Sequence, residues 1–336
     1  MKHLAILFGS EQRGIGKMNR LFWGHVIIFW ALGCGAVADQ FEKEPEEEES
    51  KPGFEEIYAD LNAKFLHNGL IVSRDNGQPE HQGEAILWTG IAAGALPCWM
   101  ARPFMDKISD MSIKNGGYFE RTEPLGEYVD RPINFDGMSG VYFGYAGFIS
   151  HCEIYPALVD SWGKHRKYLS DNGDRLHPNT SEKYPNVFDS VVQAIDYRLG
   201  LRSSLPNADA LKLVSTAAST WATGVVLSQS ACYRINLSFL QLKALDYMGV
   251  STGRDSFCRA TGKAGDPSQT AIDIPLIDHY CGRDGLKNYL DNFLSNQWEY
   301  RFQRCGAWET PDGNNIATPG LDFLVGYSEY YHVVEK

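Results

Sequence analysis

Two carboxylates occupy matching settings. HQGEAILWTG (81–90) puts Glu84 at the head of an apolar run that contains Trp88, and NFDGMSGVYFG (134–144) puts Asp136 ahead of small residues and Tyr142. A carboxylate at a helix N-terminus is favoured by the helix macrodipole. Apolar and aromatic neighbours favour its protonated form, because burial penalises charge. Each acid therefore has two readings: a helix cap contributing about 1 kcal/mol, or a group that gives or takes a proton in a space the helices enclose. Other groups with usable chemistry lie nearby in the sequence. His81 precedes Glu84, while Arg121 and Arg131 stand between the two segments and carry forked donors suited to acidic or hydroxylated partners. Trp88, Tyr118, Phe119 and Tyr142 supply rings that either face a ligand or fill a core. DHYCGRDG (278–285) gathers Asp278, His279, Arg283 and Asp284 into a second grouping.

The elements that must hold these groups read as helices. Gly90 and Gly94 follow Glu84, and Gly140, Gly144 and Gly147 follow Asp136. Glycine inside a helix costs about 1 kcal/mol relative to alanine, so its repetition points to faces stripped for close helix packing. FEEIYADLNAKFLHNG (54–69) carries an apolar stripe and ends in Asn68-Gly69, read as a helix stop. Helical periods recur at 156–169, 186–200, 208–229, 232–249, 285–298 and 319–334. GGYFERTE (116–123) is the best strand or hairpin candidate, inside a segment (104–135) read as irregular. The expected class is all-α, roughly ten helices in one domain over 54–336, and the helix-hairpin rhythm suits an (α/α) barrel or toroid.

The N-terminal part reads differently. MNRLFWGHVIIFWALGCGAVADQ, from Met18, has one Arg, an apolar run and then small residues, the pattern of a signal peptide behind an upstream extension. AVA before Asp39 suits cleavage after Ala38. ALGC resembles a loose lipobox that would make Cys34 a lipidated N-terminus. FEKEPEEEESKPG holds six glutamates and two prolines, so 39–53 reads as a solvated linker. With Cys34 set aside, six cysteines remain, an even number suited to disulfides in an oxidising compartment, with ~15 possible pairings. The expected location is the periplasm or an outer-membrane anchor, or else secretion, with membrane contact only through the lipid.

Several functions are excluded by pattern. A net charge of −11 without a basic stripe argues against nucleic acid. GSEQRGIGK departs from a P-loop after Gly14, and GMSGV lacks the last glycine of a nucleophile elbow. No C-x-x-C, H-x-H or H-E-x-x-H spacing occurs, so neither metal nor cofactor is expected.

The LWTG helix followed by GYFERTEPLGEYVDRPINFDGMSGVYFG resembles patterns in (α/α)-toroid proteins that act on glycans, and in uncharacterised exported bacterial proteins of that architecture. The resemblance covers roughly 80–150, with TPGLDFLVGY near the end in weaker support. It implies a cavity lined by inner-helix N-termini. Glu84 would be the acid and Asp136 the base of a glycoside hydrolase, which needs paired carboxylates. His81, Trp88, Tyr118, Arg121, Arg131 and Tyr142 would bind substrate. A polysaccharide lyase with Tyr118 as base beside Arg121, and a non-catalytic envelope lipoprotein binding a glycan or a protein, are the alternatives.

Overall fold

Every residue of helix Ala85–Ala95 (α2) is buried, and helix Phe135–His151 (α4) is buried from Gly137 to Ile149. A helix that is apolar on all sides belongs inside a core. The glycines are what let these two meet. A Cβ on Gly140 would lie 2.5 Å from the Leu87 Cα, and one on Gly94 would lie 2.6 Å from the Phe143 carbonyl oxygen. Gly90 against the Gly140 carbonyl, and Gly147 against the Gly94 carbonyl, are closer still. The contacts advance together from Ile86 with Gly137 to Gly94 with Gly147, so α2 and α4 run parallel, starts at one end and finishes at the other.

In the computed structural model the described residues are 53–72, 74–75, 78–79, 85–121, 132–184, 188–204, 232–249, 254–263, 266–270, 275–283, 285–292 and 321–331. Among them are eleven helices and three two-stranded hairpins, so the class is all-α. Helix Phe54–Phe65 (α1) opens with the Glu56 carboxylate accepting from the Gly53 N–H. Strands Leu66–His67 (β1) and Leu70–Ile71 (β2) follow, then Arg74–Asp75 (β3) with Gln78–Pro79 (β4). Asn68 and Gly69, at φ of 49° and 82°, form the two-residue loop of the first hairpin. That dipeptide is thus a hairpin turn after α1, not the stop of a longer helix.

Helix Cys98–Lys114 (α3) corrects a second expectation, since it makes 104–114 helical rather than irregular. Met100, Phe104, Ile108 and Met111 supply its buried stripe, which outweighs the helix-breaking tendency of Pro103. Helix Pro156–Asp171 (α5) packs on α3 and begins with the proline that favours a first turn. Among the described residues the GGYFERTE segment pairs through one bridge, Glu120 with Pro132. Helix Asp189–Arg198 (α6) and helix Cys232–Tyr247 (α7) pack against α4. Helix Arg254–Thr261 (α8) leads into Gly262–Lys263 (β5) and Asp266–Thr270 (β6). Helices Pro275–Tyr280 (α9), Gly285–Asn292 (α10) and Leu321–Tyr330 (α11) close the order, and α11 returns to α1 and α2. Phe54 stacks on Tyr327 across that closure, with ring centroids 4.8 Å apart.

Disulfides join Cys98 to Cys152 and Cys258 to Cys281, with Cα atoms 5.5 and 5.4 Å apart. The first ties the start of α3 to the residue ending α4, and the second ties α8 to the end of α9. Both are consistent with an oxidising compartment. No helix among the described residues is long and apolar enough to cross a membrane. The expected helix 208–229 lies outside the described residues.

Candidate functional site

The glycine seam fixes where the functional groups start. A Cβ on Gly137 would sit 2.9 Å from Ile86 Cγ2, so the first turns of α2 and α4 are neighbours. Three hydrogen bonds set the α2 end. The Ile86 N–H donates to the Arg121 carbonyl at 3.2 Å, the Thr89 hydroxyl donates to the Ala85 carbonyl at 2.6 Å, and Thr89 Oγ1 accepts from the Ile71 N–H at 2.9 Å. The 118–121 segment and the first hairpin thereby converge on one helix end. At α4 the cap is Asn134, whose side chain accepts from the Gly137 N–H at 3.0 Å. Asp136 is therefore not the capping residue. It stands half-buried in the first turn. Glu84, His81, Arg131 and Cys34 lie outside the described residues, as does Asp284.

The aromatic groups divide. Trp88, Phe119 and Tyr142 are buried, and they pack as core in place of presenting open faces. Tyr142 is enclosed by Trp162, His165, Tyr184 and Phe188. Tyr118 is half-buried, with its ring against Tyr168 and edge-on to His177 at 4.7 Å. Arg121 is half-buried beside the α2 start.

Two histidine pairs near this end escaped the sequence reading. The His165 ring is fully buried, and its Nδ1 lies 2.8 Å from the Gly117 carbonyl, which can only accept. Nδ1 therefore carries the hydrogen, and Nε2 accepts from the Tyr142 hydroxyl at 3.0 Å. Burial, opposed only in part by the Gly117 bond, pushes the His165 pKa down to about 4. Gly117 has to be glycine: its φ is 115°, and the Lys164 carbonyl and Tyr168 crowd its Cα.

The second pair is Glu120 with His177. His177 Nδ1 accepts from the Asn179 N–H at 3.0 Å, so Nε2 holds the hydrogen and donates to Glu120 Oε2 at 3.1 Å. Glu120 adjoins Arg121 and bridges to Pro132, on the segment that leads into Asp136. This adds a carboxylate–imidazole pair to the neighbourhood of Asp136. Nothing in the local sequence announces it, because the partners are 57 residues apart.

The DHYCGRDG grouping resolves into a structural pair. Arg283 Nε lies 2.9 Å from Asp278 Oδ1, both side chains are nearly enclosed, and Arg283 Nη2 donates to Thr261 Oγ1 at 2.9 Å. Together with the Cys258–Cys281 bond, these contacts lock α8 to α9. An open hollow of about 450 Å³ lies beside them, lined by His279, Arg283, Lys287, Asp291 and Tyr330 among others. Across α7 and α11, Lys243 Nζ lies 2.7 Å from Glu329 Oε2, and the Tyr247 hydroxyl donates to Glu329 Oε1 at 2.6 Å. Burial raises the Glu329 pKa, but Lys243 and the two hydrogen bonds outweigh it and hold the carboxyl below its ordinary range. Among the described residues no group of three or more His, Cys, Asp or Glu is arranged to hold a metal ion.

Comparison with protein-family models, with curated proteins and with solved structures finds no match to this chain.

Proposed function

We propose that this chain is an exported glycan-processing protein, a glycoside hydrolase in which Glu84 is the general acid and Asp136 the base. The observation that carries the reading is the parallel, glycine-seamed pairing of α2 with α4, which brings Ile86 against Gly137. Ala85, the first residue of α2, and Asp136, the second residue of α4, then belong to one end of a helix pair. Parallel inner helices backed by α3 and α5 are also what repeated helix hairpins of an (α/α) toroid provide. Paired carboxylates about 5 to 10 Å apart suit glycoside hydrolysis, and Arg121 and Glu120 would bind hydroxyls at the rim, with buried His177 holding the Glu120 carboxylate in place. Export is supported by the two disulfides. In this reading Cys34 carries a lipid anchor, and cleavage after Ala38 would instead give a secreted form.

A second reading, a non-catalytic envelope protein, is favoured by one observation: Trp88 and Tyr142 are buried in the core and leave few rings at this end for a sugar. Release of reducing ends from bacterial and plant polysaccharides separates the two. The wild type should hydrolyse at least one polysaccharide, with Glu84→Gln and Asp136→Asn slower by ~100-fold or more. Equal rates in all three proteins remove the assignment, and an unsaturated product identifies a lyase. Mass spectrometry of the mature N-terminus decides between Cys34 and Asp39.

A further inference from the structure

At the end of the α2/α4 pair away from the acids, the chain exposes an aromatic ring that the core does not use. Trp99, in the first turn of α3, is 60% exposed, the most exposed large hydrophobic side chain among the described residues. Its backbone is anchored and one edge of its ring is packed. Its neighbour Cys98 is bonded to Cys152. The Tyr58 ring meets the indole edge-to-face at 5.7 Å, and the Tyr58 hydroxyl is itself tied to the Met100 carbonyl at 3.2 Å. A tryptophan on an anchored helix start, with one edge packed, loses less freedom when something stacks on its open face than one on a free loop, which favours binding.

The surroundings of the ring are polar and planar. Arg102, one helical turn on, lies over the Tyr155 ring at 3.5 Å and directs Nε to Asp106 Oδ1 at 2.9 Å. A guanidinium fixed in this way keeps its Nη donors at a set angle. Pro103 has no N–H to give the Trp99 carbonyl four residues back, so that carbonyl has no helical i→i−4 partner. Glu153, exposed beside Cys152, adds an acceptor, and Ile154 is the one exposed aliphatic side chain adjoining it. This side of the molecule therefore offers one flat apolar face with Arg102 and Asp106 one and two turns further along the same helix face and Glu153 across the Cys98–Cys152 bond. That matches a pyranose ring, whose axial C–H bonds make one apolar face and whose hydroxyls project from the edge. It is too small and polar for a protein core contact. Its mixed charge, on a chain of net charge −11, does not suit a polyanion.

We propose that the Trp99 face is a carbohydrate-binding platform for a neutral polysaccharide, with the indole stacking on a pyranose and Arg102, Asp106 and Glu153 bonding its hydroxyls. It rests on the glycan reading above but on none of that reading's catalytic residues. Helix lengths put it roughly 16 to 25 Å from the α2 and α4 starts, since a helix rises about 1.5 Å per residue. A bound chain would then span several sugar units between platform and acids.

The test is retention of the full exported chain on insoluble cellulose, chitin and mannan, and binding to soluble xylan. Phosphatidylcholine vesicles and sedimentation of the protein alone serve as the other arms. Wild type should bind at least one polysaccharide. Trp99→Ala should bind it about tenfold more weakly, equivalent to about 1.4 kcal/mol, while Trp99→Phe keeps part of the affinity. Glu84→Gln should bind as wild type does, so loss of catalysis and loss of the platform are read separately. Unchanged binding by Trp99→Ala, or no retention on any polysaccharide, overturns the proposal. So does a Trp99-dependent loss seen only on vesicles, or only in self-association.

Discussion

Where α2 meets α4, Gly90, Gly140 and Gly147 let backbone approach backbone, with the Ile86 and Phe143 side chains filling the rest of the seam. Where α7 meets α11, Lys243, Glu329 and Tyr247 fill the contact with charge and hydrogen bonds. The first interface depends on shape and has no tolerance for one added methyl group. The second depends on a complete set of partners and fails when one is removed. Tyr247 links them, because its ring packs on Phe143 of α4 and its carbonyl accepts from Ser150. An apolar seam positions elements tightly without adding charge near a site, whereas a polar network defines which helices pair at the cost of desolvation.

Substitutions break the two interfaces differently. Gly90→Val should have the largest effect, because its side chain meets the Gly140 and Val141 backbone. Loss of more than about 4 kcal/mol, or of cooperative folding, is expected in urea denaturation. Glu329→Ala should cost about 3 kcal/mol by leaving Lys243 mostly buried without its carboxylate. Replacing both by Met and Leu should restore most of that, which no pair of substitutions at Gly90 and Gly140 could do.

His165 gives the seam's flank a pH dependence. Its folded pKa of about 4 lies below the ordinary 6.5, so between these values the unfolded chain binds the proton and the folded chain does not. The contribution is complete above pH 6.5 and is lost as pH falls toward 4, roughly 3 kcal/mol in all. Urea midpoints across that range should fall more steeply for wild type than for His165→Asn. Asn134→Ala should cost about 1 kcal/mol through the lost α4 cap. Gly163→Ala, a helical glycine with nothing within 4 Å, is expected to gain about 0.5 to 1 kcal/mol. A loss there would mean that glycine in these helices does not act through contact alone.

The seam was legible in the sequence because glycine spacing within apolar helices has a packing cost that only close approach repays. Other features had two local solutions. Asn68-Gly69 suits a helix end and a hairpin turn alike, and Ile71 bonding to Thr89 decides for the turn. The segment from 104 reads as irregular, yet the Phe104, Ile108 and Met111 stripe makes 104–114 helical through burial. The Asn134 cap stands two residues before the acid that drew attention. Glu120–His177 and the disulfide pairings depend on long-range geometry, which no spacing within a segment encodes. Trp88 and Tyr142 illustrate the same limit, since ring type alone does not distinguish a core side chain from a binding face.

The most direct test of the functional account is Asp136→Asn, followed by polysaccharide turnover and by urea midpoint on the same preparation. Because Asn134 holds the α4 cap, loss of the Asp136 charge should change stability by no more than about 1 kcal/mol. Turnover by a base at this position should fall by ~100-fold or more. A protein that turns over polysaccharide at the wild-type rate, whatever its stability, would contradict the account.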